Sequence, residues 1–152
     1  MEFISNSSSH KHKHAICELI EWADKCILCT SFLDGKGIKL LSKSISSGIK
    51  ERCLDITIFS NGQENYTRNC VKKEILTLKG LKHQVTNGKK RLHSKIYYFE
   101  KGCEFIVVIG SANITQNGLM NNIEFSIKTT GIIGSKEQKE IHNNFLELES
   151  EC

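Results

Sequence analysis

The sequence predicts an α/β domain, a layered mixed β-sheet flanked by helices. Three observations carry this. In the first half of the chain, apolar residues at helical spacing alternate with short apolar runs, a pattern that lays helices on the faces of a sheet. In the second half, apolar runs follow one another through short turns, which makes those strands antiparallel neighbours. With 152 residues, 39% hydrophobic and 25% charged, the chain is sized and composed like one ordinary globular domain.

The elements follow in order. Residues 1–14 are polar and are expected to form a flexible N-terminal segment, leaving 15–152 as the catalytic domain. His10, His12 and His14 alternate with lysines there, which fits an exposed segment better than a metal site. Ile16, Leu19, Ile20 and Ala23 set a short amphipathic helix over Ala15–Lys25. Cys26–Leu33 is a buried strand and Asp34-Gly35-Lys36-Gly37 a turn. Helical period returns over Ile38–Lys50 through Leu40, Leu41, Ile45 and Ile49. Leu54–Phe59 is an alternating strand, broken by Ser60-Asn61-Gly62. A helix is expected over Asn65–Leu78, closed by Gly80. A short strand follows at Leu81–Val85, then an Asn87-Gly88 turn. His93–Glu100 and Glu104–Ile109 form a strand pair around Lys101-Gly102. Thr115–Asn121 is a short helix, Ile123–Thr129 a strand and Lys136–Leu148 a final helix. Trp22 and Tyr66 are assigned to core or surface rather than to base stacking.

Net charge is +4, compatible with a polyanionic partner but not evidence for one. The seven cysteines have no framework spacing. Cys26 and Cys29 form a CxxC, but on a strand positions i and i+3 point to opposite faces, so neither a redox turn nor a zinc clip fits. Reduced core thiols and a cytoplasmic location are the default. No apolar run reaches the roughly 18 residues of a membrane span, and no secretory signal opens the chain.

The chemistry concentrates in Arg91–Phe125. His93 and Lys95 lie two apart and, on a strand, share a face. Two such groups address one phosphate: Lys balances charge on the nonbridging oxygens while His attacks or transfers a proton. Ser111 and Asn113, also two apart, add a hydroxyl and an amide donor, and Gly110 lets the backbone approach closely. Glu124 is placed to accept a hydrogen bond from the far ring nitrogen of His93, setting its tautomer. Ser94 points away on parity and packs. Lys82, Lys89, Lys90 and Arg91 precede His93 and could hold flanking phosphates, Lys89, Lys90 and Arg91 most directly.

His93-x-Lys95 followed by Gly110-Ser111-x-Asn113 resembles the HKD motif of the phospholipase D superfamily, HxKxxxxD with GSxN. Asn122-Ile123-Glu124 matches the later NxE. Glu100 stands where the family carries Asp, a supporting position outside the chemistry. The resemblance implies a phospholipase D-like fold and a metal-independent phosphodiesterase with no cofactor. In the family two HKD motifs meet at one site; one His attacks phosphorus, forming a phosphohistidine, and the other protonates the leaving oxygen. This chain holds one copy, since His10-Lys11-His12-Lys13 lacks a GSxN and His83 and His142 lack the pattern. The implied assembly is a homodimer contributing His93 from each subunit.

Short single-motif members resemble bacterial endonucleases and the nuclease domains of some restriction enzymes. The expected activity is therefore a DNA endonuclease, with RNA as the other candidate substrate, in a restriction or defence setting. Since no base-reading element is visible, sequence preference would come from another domain or partner protein. Two alternatives stand beside it. A non-catalytic nucleic-acid-binding dimerisation module is opposed by the intact His93, Lys95, Asn113 and Glu124. A lipid phosphodiesterase is opposed by the missing membrane-facing apolar segment.

Overall fold

The computed structural model describes residues 1–63, 67 and 69–152, except the side chains of residues 69 and 70. One seven-stranded sheet organises them, in the order β1-β7-β6-β5-β2-β3-β4. In chain order the elements are β1 (Glu2–Ser5), α1 (His12–Trp22), β2 (Lys25–Thr30), α2 (Gly35–Arg52), β3 (Asp55–Ser60), α3 (Asn69–Thr77) and β4 (Lys82–Val85). They continue with β5 (Ile96–Lys101), β6 (Glu104–Gly110), α4 (Gln116–Met120), β7 (Phe125–Ile132) and α5 (Lys136–Ser150). β2, β3 and β4 are parallel, as helical crossovers require. β5, β6 and β7 are antiparallel; β5 and β6 are joined by a tight turn, and β6 and β7 by a longer connection that carries α4. The mixed α/β architecture expected from the sequence is the one observed.

The sheet buries both faces. One core gathers Ile16 and Ile20 of α1, Ile38, Leu41 and Ile45 of α2, and Leu28, Ile56, Tyr97 and Phe99 of the sheet. The opposite face packs Ile27, Cys29, Phe59, Tyr98, Phe105 and Val107 against Phe145 of α5. Cys26 and Cys29 fall into these two different cores, as strand parity dictates. Burial raises both thiols above the ordinary cysteine range, Cys29 to about 11.

Several boundaries move, each for a local reason. Asp34-Gly35-Lys36-Gly37 is not a turn: the Asp34 carboxylate accepts from Gly37 N at 2.7 Å and so caps α2, which starts at Gly35. Gly37 is needed there, because a Cβ would lie 2.3 Å from the Ile114 carbonyl oxygen. The stretch expected to be flexible instead supplies β1, which pairs antiparallel with β7, and the first turn of α1. The reason is His12, which is fully buried. Its backbone N and Nδ1 both reach Asn6 Oδ1, at 3.1 and 2.8 Å, and Nε2 meets Ser126 Oγ at 2.8 Å. A ring committed on both nitrogens is no metal ligand. The start of the expected Asn65–Leu78 helix, with Tyr66, lies outside the described residues, and α3 runs from Asn69 to Thr77.

The strand expected from His93 begins only at Ile96. The first rungs of β5 pair Ile96 with Cys29 and Ile109, and β2 stops at Thr30. Beyond Ile96 the Lys95 carbonyl still accepts from Gly110 N at 3.3 Å, where β6 ends, whereas His93 and Ser94 have no ladder bond among the described residues. Leu92 packs into the α5-side core, and its carbonyl accepts from buried Asn61 Nδ2 at 3.1 Å. These contacts hold the extended approach to β5.

Candidate active site

β2 ends, β5 begins, β6 ends and β7 begins along one edge of the sheet, at the C-terminal end of β2. Carboxyl ends of parallel strands are where open α/β sheets bind ligands. His93, Lys95, Ser111, Asn113 and Glu124 all sit on the segments that meet there.

His93 is exposed and lines a shallow depression of about 280 Å³ together with Thr86, Leu92 and α5 residues. Lys95 is half-buried and one of its ammonium hydrogens goes to the His93 carbonyl at 2.8 Å. That contact ties the two groups together without a strand between them. Desolvation lowers the Lys95 ammonium below the ordinary lysine range, Glu124 opposes the shift, and Arg91 adds to it. Ser94 turns away, as expected, and meets Cys29 Sγ at 3.4 Å.

Glu124 is buried and does not bond His93. Its carboxylate is held by the Ser111 hydroxyl on one oxygen and by Asn122 Nδ2 at 3.2 Å on the other. Ser111 Oγ in turn accepts from Phe125 N at 3.1 Å. The Ser111 hydroxyl hydrogen is thus spent on Glu124 rather than offered to a phosphate. The role left to Glu124 is that of a fixed anion beside Lys95.

Asn113 is oriented by its carbonyl: Oδ1 accepts from Phe32 N at 3.0 Å and lies 3.4 Å from Thr30 Oγ1, whose hydrogen goes to the Phe32 carbonyl at 2.8 Å. Its Nδ2 hydrogens have no partner among the described residues and remain available as donors. Thr30 also accepts from Ile114 N at 3.0 Å, and Tyr97 OH donates to the Ala112 carbonyl at 2.5 Å. Thr30 at the end of β2 and Tyr97 on β5 therefore clamp the Ser111–Ile114 loop from below. At Gly110 a Cβ would lie 2.1 Å from Ser126 Oγ, so only glycine lets β6 and β7 close at the loop.

The remaining expected site residues lie further off. Glu100 is at the other end of β5, accepting from Tyr98 OH at 2.6 Å and contacting His142 Nε2 at 3.2 Å and Lys25 Nζ at 3.7 Å. It braces α5 against the sheet and touches none of the site groups. Lys90 is turned to α5, paired with Glu151 at 3.1 Å and Glu147 at 3.6 Å. Lys82 pairs with Asp55 at 2.8 Å. Lys89 is exposed, and Arg91 contributes its charge next to Lys95.

Thr30, Tyr97 and the His12–Asn6–Ser126 cluster escape a motif reading. The signal that could have found Thr30 is a hydroxyl ending an otherwise apolar buried run; the other contacts join residues distant in sequence.

The profile of the family described as "Cardiolipin synthase, PLD-like domain" matches residues 16–148. The chain belongs to this phospholipase D-like family. The superfamily is one of phosphodiesterases. Among solved structures, NucT from Helicobacter pylori is similar at TM-score 0.69 and 15% identity, over 99% of this chain and 96% of that one. Nuc from Salmonella typhimurium, a phospholipase D family member, is similar at TM-score 0.69 and 15% identity, over 99% of this chain and 91% of that one. Yeast tyrosyl-DNA phosphodiesterase shares the fold at TM-score 0.56 and 15% identity, over 88% of this chain and 33% of its own. Comparison with curated protein sequences returns no match. No helix among the described residues is long and apolar enough to cross a membrane.

Proposed function

We propose that this phospholipase D-like protein is a metal-independent endonuclease that hydrolyses DNA phosphodiester bonds through His93, as a homodimer with a shared active site. The observation that carries the reading is the convergence of His93, Lys95, Asn113 and Glu124 at one sheet edge in a family of phosphodiesterases. A neutral His93 ring nitrogen attacks phosphorus with its lone pair, forming an N–P bond as the P–O bond to the leaving strand breaks. His93 of the partner subunit gives its proton to the leaving oxygen. Water then attacks phosphorus and loses a proton to that same imidazole, and the N–P bond breaks. Lys95 and the Asn113 amide hydrogens face the nonbridging oxygens, a preorganised arrangement of the kind that stabilises developing charge. Ser111 and Asn122 hold Glu124, whose charge keeps Lys95 protonated. Arg91 and Lys89 attract flanking phosphates.

An apolar strip beside the site supports the dimer. Phe3 and Ile109 both sit opposite Ile127 in the sheet, and Phe125 is two residues along the same face. They remain 64%, 47%, 38% and 56% exposed, and the Phe3 and Phe125 rings stack at 5.3 Å. Contiguous exposed apolar surface of this kind marks an interface. Phe125 is bonded through its backbone to Ser111, so a two-fold copy seated on this strip would lie beside the segment that holds Glu124. The test is plasmid and oligonucleotide cleavage in EDTA. The wild type cuts and His93→Ala does not. No cleavage by the wild type sinks the nuclease; cleavage surviving His93→Ala sinks the mechanism; a wild-type monomer that cuts at full rate sinks the shared site.

A further inference from the structure

A second recess opens from the site at Asn113. Its volume is about 550 Å³, within the roughly 300–1,000 Å³ of small-molecule sites. Phe32, 39% exposed, forms one wall next to the backbone N–H that orients Asn113. The other wall carries Gln116, Asn117 and Asn122. Lys36 and Asp34 offset each other in charge, and Asp34 is occupied in capping α2. A groove built for phosphates would carry net positive charge. This one is neutral, rich in amides and walled by an aromatic ring.

The amides are poised in both senses. Asn113 and Asn117 have their carbonyl oxygens engaged, the latter by Asn121 Nδ2 at 3.1 Å, and so present N–H donors. Asn122 gives its Nδ2 to Glu124 and presents its carbonyl oxygen. Side-chain amides next to an aromatic wall are what recognise the edge and face of an unpaired base. We propose that the recess between α2 and α4 receives an unpaired nucleobase next to the scissile phosphate, making single-stranded nucleic acid the substrate class. This rests on the phosphodiesterase reading above. It supplies within the chain the base-contacting element that the sequence alone did not reveal.

The test is fluorescence anisotropy with the full chain carrying His93→Ala, so that the probe is not cut. The probe is a short labelled DNA single strand, with one abasic residue walked along it. An abasic residue at one position weakens binding on the order of 10- to 100-fold, the scale of one stacked base. Phe32→Ala, and separately Gln116→Ala with Asn117→Ala on the exposed surface of α4, weaken binding to the intact strand and abolish that discrimination. Phe32→Trp retains it. If no abasic position matters, or if the α4 variant binds and discriminates as its parent does, the base recess is refuted. Hydrolysis of bis(p-nitrophenyl) phosphate, which has no base, is measured with His93 intact and is unchanged in the Gln116→Ala, Asn117→Ala variant. Failure of the wild type in that assay refutes the phosphodiesterase reading, while the abasic comparison still decides the recess.

Discussion

Tyr97→Phe tests whether the site loop is held from the core. Tyr97 is 1% exposed on β5, and its hydroxyl donates to the carbonyl of Ala112, itself 1% exposed and flanked by Ser111 and Asn113. Ala112 has no other hydrogen-bond donor among the described residues. Removing the hydroxyl leaves a buried carbonyl unsatisfied, at a cost of about 1–3 kcal/mol. At about 2–4 °C per kcal/mol for a chain of this size, the melting temperature falls by about 2–12 °C. The lost bond also frees the loop that aims Asn113, so phosphodiester turnover falls with it. Urea unfolding and turnover of the phosphodiester probe measure the two effects. Tyr98→Phe is the control: that hydroxyl bonds Glu100 and Gln138 at the far end of the sheet, so stability falls while turnover per folded molecule holds. Tyr97→Phe within about 0.5 kcal/mol of the wild type, the ordinary scatter of surface changes, would refute the clamp.

Two further outcomes rest on charge. Because burial lowers Lys95 and Glu124 opposes that shift, the alkaline limb of activity lies below the ordinary lysine value of about 10.4. Glu124→Gln moves it to still lower pH, and a pH–rate profile unchanged by the substitution would show that the two charges do not interact. Burial also lowers His12, so below about pH 6.5 the unfolded chain binds a proton the folded chain refuses. Stability therefore falls as pH drops from about 6.5 toward the folded value; in His12→Gln that pH dependence is shallower, as measured by urea unfolding at pH 7.5 and 5.5.

The sheet was legible because its strands are short apolar runs with clean breaks, and because parity puts Cys26 and Cys29 in separate cores. The motif residues fall on segments that meet at one end of the sheet. Their wiring was not legible. Period-two reasoning put His93 and Lys95 on a strand, but β5 begins only at Ile96, and of the two only Lys95, whose carbonyl accepts from Gly110 N at 3.3 Å, still bonds to the sheet. Glu124 was assigned to His93 on chemical type; the closer Ser111 hydroxyl takes it. Residues 1–14 looked unstructured from polarity alone. One buried histidine, satisfied by Asn6 and by Ser126 from the other end of the chain, reverses that. Such long-range polar contacts leave no periodic trace in sequence.

β7 links these features, because its alternation serves two purposes at once. Ser126 points to the helix side, where it meets His12, and at Gly110 it excludes any Cβ. Phe125 and Ile127 point to the other side, forming the apolar strip with Phe3 and Ile109. A slip of one residue would exchange the two faces, bringing aromatic and aliphatic side chains against His12 and a serine to the strip. The His12–Ser126 bond therefore fixes the register in which Glu124 reaches Ser111 and in which the strip faces outward. A substitution that breaks it should impair the site and the proposed dimer together. If the proposed dimer forms on the strip, Phe125→Asp with Ile127→Asp should instead dissociate it and abolish the proposed cleavage while leaving each monomer folded. Sedimentation velocity with cleavage assays separates the two, and a strip variant that remains dimeric would place the interface elsewhere.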